Sequence, residues 1–115
     1  MHELSIVKRF MNIAISSIPE GNTAKIKSVV IDVGEMTDLV PHYLSKYYEL
    51  SSKDTILDGS ELIIHPVPMK VLCNTCGSTY NPMLTPDRLC PDCGSGDCHL
   101  LEGRDVTVSE IRLEE

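Results

Sequence analysis

The chain has no tryptophan and a single phenylalanine, Phe10, so any core it builds is aliphatic. It has no long apolar run either. The densest stretch, Leu62-Ile63-Ile64, is far too short to cross a bilayer, and no membrane partner is expected. No basic segment followed by an apolar one opens the sequence, so no secretory leader is expected and the expected compartment is the cytoplasm. Basic residues are scarce, 10 Lys and Arg against 17 Asp and Glu, for a net charge of −7. Lys8-Arg9 is the one adjacent basic pair. A chain of this sign is repelled by phosphate, which excludes nucleic acid as an expected partner and disfavours a zinc-ribbon transcription factor. A nucleophile–base pair, a glycine-rich phosphate loop and an HExxH motif are also missing, and enzymatic activity is not expected.

Against these absences stand five cysteines, all between Cys73 and Cys98. An odd number suits a disulfide framework poorly, and four of them form two close pairs, which in a reducing compartment reads as metal binding. Cys73-Asn74-Thr75-Cys76-Gly77 and Cys90-Pro91-Asp92-Cys93-Gly94 are two CxxCG knuckles, with thirteen residues between Cys76 and Cys90. Two intervening residues let both thiolates turn toward one ion, and the following glycine permits a positive φ. Four sulfurs complete a tetrahedral shell for Zn²⁺ with no open position, the mark of a structural ion. Bound thiolates would carry the net charge to about −9. Two other readings use the same residues: a rubredoxin-like iron site for electron transfer, and a zinc-ribbon interaction module. Cys98-His99 lies five residues past Cys93, either as a spare ligand pair or as a free thiol beside a surface histidine.

Outside this segment, periodicity is legible. Apolar residues at Leu4, Val7, Met11, Ala14, Ile15 and Ile18, widened by Ile6 and Phe10, predict a helix over 4–18 that Pro19-Glu20-Gly21-Asn22 stops. A β-branched strand over 25–33 alternates Val29, Ile31 and Val33 against Val30 and Asp32, and Gly34 closes it. Thr37 or Asp38 caps a second helix, with Pro41 in its first turn and Val40, Tyr43, Leu44, Tyr47 and Tyr48 as its apolar face. Asp58-Gly59-Ser60 turns the chain into a strand over 61–65, which Pro66 and Pro68 end as a stiff linker. Strand signal returns over 105–113. There Val106 and Val108 share one parity and Ile111 and Leu113 the other, and a bulge near Ser109-Glu110 restores all four to one face.

The expected fold is α+β, a small three-stranded sheet with two helices plus an inserted zinc-ribbon module. Residues 1–68 and 104–115 form a discontinuous domain, and 69–103 the zinc-binding domain. A strand that returns after so long an insertion can pair with its own sheet or a second copy's, and the prolines make a strained hinge. A monomer and a domain-swapped homodimer are both expected.

The chain opens MHELS, which puts His2 beside a free amine at the start of a packed helix. Met1 is expected to be retained, because His2 is not small. The Met1 amine and His2 amide can close a five-membered chelate, and the His2 amide with its own Nδ1 a six-membered one. Three nitrogens in a plane suit Ni(II). A fourth donor would come from Glu3, through its amide or carboxylate, or from a carboxylate such as Asp38. MHELS, VVIDVGEMT, LDGSELIIHPVP, CNTCG, CPDCGS and DVTVSEIRLEE, in that order along nearly the whole chain, resemble the HypA family of hydrogenase nickel-incorporation proteins.

The resemblance implies a nickel metallochaperone for NiFe hydrogenase, with nickel held at His2 with Glu3 beside it and zinc at Cys73, Cys76, Cys90 and Cys93. It implies two partners, the GTPase HypB and the hydrogenase large subunit. In some members histidines adjoin the knuckles; here Ser78 and Gly94 stand in those places and His99 lies further on.

Overall fold

The computed structural model describes residues 3–114. Helix α1 (Glu3–Ser17) leads into strand β1 (Ile26–Gly34), a 3₁₀ turn at Glu35–Thr37 and helix α2 (Pro41–Ser51). Then follow β2 (Glu61–Val67), β3 (Lys70–Cys73), β4 (Thr79–Tyr80), two 3₁₀ turns at Pro82–Leu84 and Pro86–Arg88, β5 (Cys98–Glu102) and β6 (Val106–Leu113). The strands form two three-stranded sheets, ordered β2-β1-β6 and β4-β3-β5. The larger sheet and its two helices are those expected from the apolar periodicity.

Strand β1 pairs parallel with β2 and antiparallel with β6. The parallel pairing demands a crossover, and α2 supplies it. Val29, Ile31 and Val33 face the helices and belong to one core with Ile6, Val7, Phe10, Met11, Ala14, Leu44, Tyr48 and Leu57. The Phe10 ring stacks on Tyr48 at 5.9 Å, and the Tyr48 hydroxyl meets Ser60 Oγ at 2.5 Å. Leu4, Ile15, Val40 and Tyr43, expected on the apolar faces, are exposed at their margins.

The helices run in the same direction. Glu3, Leu4 and Ser5 share a cavity with Tyr43 and Tyr47, whereas Met11, Asn12 and Ile15 share one with Ser51 and Thr55. Both helices therefore begin at the same end of the molecule.

Three details differ from the sequence reading, each for a local reason. Val40 caps α2, not Thr37 or Asp38. The Thr37 hydroxyl donates to the Gly34 carbonyl at 2.7 Å, and Asp38, at φ 55°, ends the preceding 3₁₀ turn in the left-handed region. Strand β2 continues through Pro66, opposite Val33, to Val67. It is an edge strand, where alternate N–H groups face away from the sheet and proline is tolerated. The bulge near Ser109 is present: the partner of β1 jumps from Glu110 to Val108 between Val30 and Ile31, and the Ser109 hydroxyl donates to the Val30 carbonyl at 3.2 Å. It brings Val106, Val108 and Ile111 onto the core, but Leu113 is exposed beyond a second register shift at Ile26/Ser28.

The smaller sheet, in a segment without visible periodicity, has strands of two to five residues. Its core is a separate cluster of Val71, Cys73, Tyr80 and Cys90, flanked by Met69, Cys98 and Leu100. The chain crosses between the sheets at Pro68–Met69 and again at Gly103–Arg104. There the backbones touch: a Cβ on Gly103 would lie 2.7 Å from Met69 Cα, and one on Gly34 would strike the Gly103 carbonyl. Met36 N–H donates to the Gly103 carbonyl at 2.8 Å, and Glu35 accepts from Met69 N–H at 2.7 Å and from Asn81 Nδ2 at 3.3 Å. The molecule measures 55 × 24 × 19 Å with a radius of gyration of 17.7 Å. A single compact globule of this length would have about 13 Å, so the two sheets lie end to end. Among the described residues no helix is long and apolar enough to cross a membrane.

Candidate metal centre

The two knuckles repeat the sequence Cys-x-x-Cys-Gly-Ser and the same hydrogen bonds. In the first, Gly77 N–H donates to the Cys73 carbonyl at 2.9 Å and Cys73 N–H to the Ser78 carbonyl at 2.8 Å. In the second, Gly94 N–H donates to Cys90 at 2.9 Å and Cys90 N–H to Ser95 at 3.0 Å. Each turn needs a residue at positive φ, and glycine supplies it at 79° and 76°. Side chains then tie one knuckle to the other. The Ser78 hydroxyl donates to Asp92 at 2.5 Å, and the Thr75 hydroxyl to Ser95 Oγ at 2.9 Å. In both bonds the serine after one knuckle's glycine meets the third residue of the other knuckle. The sequence carries no sign of this cross-linking, because no spacing rule relates residues in different knuckles.

The four sulfurs of Cys73, Cys76, Cys90 and Cys93 lie within 4.8 Å of one another. Cys73–Cys93 and Cys76–Cys90 are each 3.6 Å apart, too long for a disulfide. Sulfurs placed at about 2.3 Å on a tetrahedron would be separated by about 3.8 Å, so the cage fits one metal ion. Without an ion the thiols conflict. Contact with Ser78, through its side chain and then its backbone N–H, draws Cys76 down to about 6. The Cys76 N–H lowers Cys73. The Ser95 N–H favours the Cys93 thiolate, but burial and the three neighbouring thiols outweigh it and push Cys93 up to about 12. Four like charges cannot share one point unaided, and a divalent cation removes the conflict. Among the described residues this is the one place where three or more such ligands converge.

The other site residues are more dispersed. Glu3 is half-buried as the first residue of α1, and lines a cavity of about 460 Å³ with Leu4, Ser5, Tyr43 and Tyr47. His2 lies outside the described residues. Asp38 lines a different cavity with Glu35, Met36, Met69, Met83 and Arg88. His99 Nδ1 is 2.6 Å from Asn74 Oδ1, so this exposed histidine is tied to the first knuckle by a bond that sequence spacing does not reveal. His65 Nδ1 faces Asp32 at 3.7 Å on the open side of the larger sheet.

A family model described as HypA, hydrogenase/urease nickel incorporation, metallochaperone, matches residues 1–113. A hydrogenase maturation factor HypA of Desulfosudis oleivorans is 35% identical over all of both chains. One of Desulfatibacillum aliphaticivorans is 36% identical, over 98% of this chain and 87% of its own length. The solution structure of the Ni metallochaperone HypA from Helicobacter pylori superposes with a TM-score of 0.72, at 19% identity, covering 98% and 97% of the two chains. A second solution structure of a HypA protein gives 0.75 at 18% identity, covering 99% and 97%. Matched along its length by model, relatives and fold alike, this chain belongs to the HypA family of hydrogenase and urease nickel-incorporation metallochaperones.

Proposed function

We propose that this chain binds Ni(II) through His2, with Glu3 beside it, and hands it to a NiFe hydrogenase during maturation, while zinc held by Cys73, Cys76, Cys90 and Cys93 stays in place. The observation that carries the nickel reading is the seat of Glu3. It opens a helix whose next turns bury Ile6, Val7 and Phe10, so the residue adjoining His2 is anchored to the core. The zinc reading rests on four protein sulfurs that fill a tetrahedral shell and leave no position for a substrate. Such an ion supplies folding free energy to the segment that holds it and takes no part in transfer. Both roles are those of a carrier and not of an enzyme. Delivery to a large subunit, with the GTPase HypB as co-worker, is the partnership this role calls for.

Residues 1–68 with 104–115 act as the nickel-binding unit and 69–103 as the zinc-binding unit. Separate apolar clusters in the two sheets support that division. The protein works in the cytoplasm, as a monomer or a domain-swapped homodimer.

The test is a calorimetric Ni²⁺ titration of three proteins: wild type, His2→Ala, and a version with a short peptide ahead of Met1. If amine, amide and imidazole act together, both variants lose nickel and keep zinc. Imidazole (pKa ~6.5) and amine (~7.7–8) must shed protons to bind, so wild-type affinity falls as the pH drops toward about 6. Full nickel binding by the extended protein would remove the amine from the ligand set. Full binding by His2→Ala would refute the site.

A further inference from the structure

Cys98 is the one cysteine outside the four-sulfur cage, and the register of the smaller sheet sets it directly across from a ligand, Cys73. The Cys73 N–H is occupied by the Ser78 carbonyl, and the neighbouring Asn74 N–H donates to the Asp97 carbonyl at 2.9 Å. Cys73 and Cys98 are therefore a non-hydrogen-bonded antiparallel pair, the position where facing Cα atoms come to about 4.5 Å. Facing residues of such a pair lie on the same side of the sheet. Disulfides span Cα separations of about 4.4–6.8 Å, so the backbone need not move for this pair to join.

On the same side of the sheet lies Tyr80, 8% exposed. Its hydroxyl has no hydrogen-bond partner among the described residues. The Cys98 thiol lies beside that hydroxyl. A buried donor without a partner is rare enough to point to a group that arrives later.

We propose that Cys98 is a redox partner of the metal centre: a hydroperoxide oxidises it, Cys73 closes a disulfide onto it, and the ion is released. The inference rests on the four-thiolate reading of the centre. While the ion is bound, four of the five sulfurs donate to it, and the Cys98 thiol is the free one. The peroxide O–O bond breaks as it takes two electrons from the Cys98 sulfur. One oxygen stays as the sulfenic acid and the other leaves as water from hydrogen peroxide, or as an alcohol from an organic hydroperoxide. The Tyr80 hydroxyl donates to the oxygen now on sulfur. The Cys73 thiolate attacks that sulfur, forms the S–S bond and expels hydroxide, which takes a solvent proton to become water. Two sulfurs have each lost one electron, the peroxide has gained two, and the ion keeps three thiolates of four.

The experiment uses the full chain, purified under reducing conditions and assayed first for bound metal. Hydrogen peroxide is then added with a chromogenic chelator, and a non-reduced digest, cut after Lys and Arg and before Asp, separates Cys98 from Cys90 and Cys93. A Cys73–Cys98 linked peptide should accumulate in step with metal release. Cys98→Ser and Cys98→Ala, which keep all four ligands, should release metal several-fold more slowly. Equal release rates in wild type and variants would overturn the proposal. So would a map in which all links run among the four ligands while Cys98 stays reduced, and that map needs no variant to fold. Protein purified without metal would refute the metal reading, and its map would still decide the pairing.

Discussion

Gly103 stands where the two sheets meet, at φ 99°, with its missing side chain facing Met69 and the Pro68 carbonyl. Gly21 has a similar backbone, φ 77°, but open space around it. The two separate strain from crowding. Gly21→Ala incurs only the left-handed backbone cost, about 1–2 kcal/mol. Gly103→Ala incurs that cost and must also push the Met69 backbone aside, so its urea midpoint should fall clearly further than that of Gly21→Ala. Equal midpoints would mean that the junction has slack. At this scale the sequence spoke clearly where chemistry is local: CxxCG spacing alone brought Cys73, Cys76, Cys90 and Cys93 into view as one set. It was silent on Ser78–Asp92 and Thr75–Ser95, because those contacts join residues that only tertiary folding brings together.

Elements were legible in proportion to their length. Helix α1 and strand β1 announce themselves because fifteen and nine residues leave room for a period to repeat. Strands β3, β4 and β5 are too short for that, and their placement depends on the knuckles between them. Strand β6 was readable even though it is irregular, since its apolar residues change parity at Ser109. Two single-residue deletions test this reading. Removing Ser109 takes out the extra residue and leaves Val106, Val108 and Ile111 in strict alternation, so the protein should still fold with a nearly unchanged circular dichroism spectrum. Removing Thr107 turns Val106 to the outer face. That should cost about 1.5 kcal/mol, the low end for burying a valine, because Val106 is half-buried. If both deletions were equally tolerated in a thermal melt, β6 would not be in the register described.

Over the whole molecule, the two halves are stabilised by different means. The larger sheet and its helices close over a continuous apolar core, whereas the smaller sheet buries only four residues in its cluster. So little burial cannot offset the entropy of ordering some thirty residues, and metal binding, worth ~10–16 kcal/mol in small zinc peptides, supplies the difference. Cys73→Ala or Cys90→Ala should therefore expel the ion and loosen residues 69–103 while most of the helical circular dichroism persists. Chelation of the wild type should do the same. A fully unfolded variant would show that the halves stand or fall together. That an insertion interrupts the sheet was legible, because periodicity stops at Pro66 and resumes near Val106. The end-to-end arrangement was not, since it depends on backbone contacts among Gly34, Gly103 and Met69.

The insertion also imposes an order in time. During synthesis β1 and β2 leave the ribosome early, but β6, the third strand of their sheet, follows only after all the cysteines. Until it arrives, one edge of β1 stays open and the core lacks Val106, Val108 and Ile111. The nascent chain thus presents its thiols to the cell's metal pool before the half that carries Glu3 can close. Closure of the larger sheet comes last in the making of each new molecule.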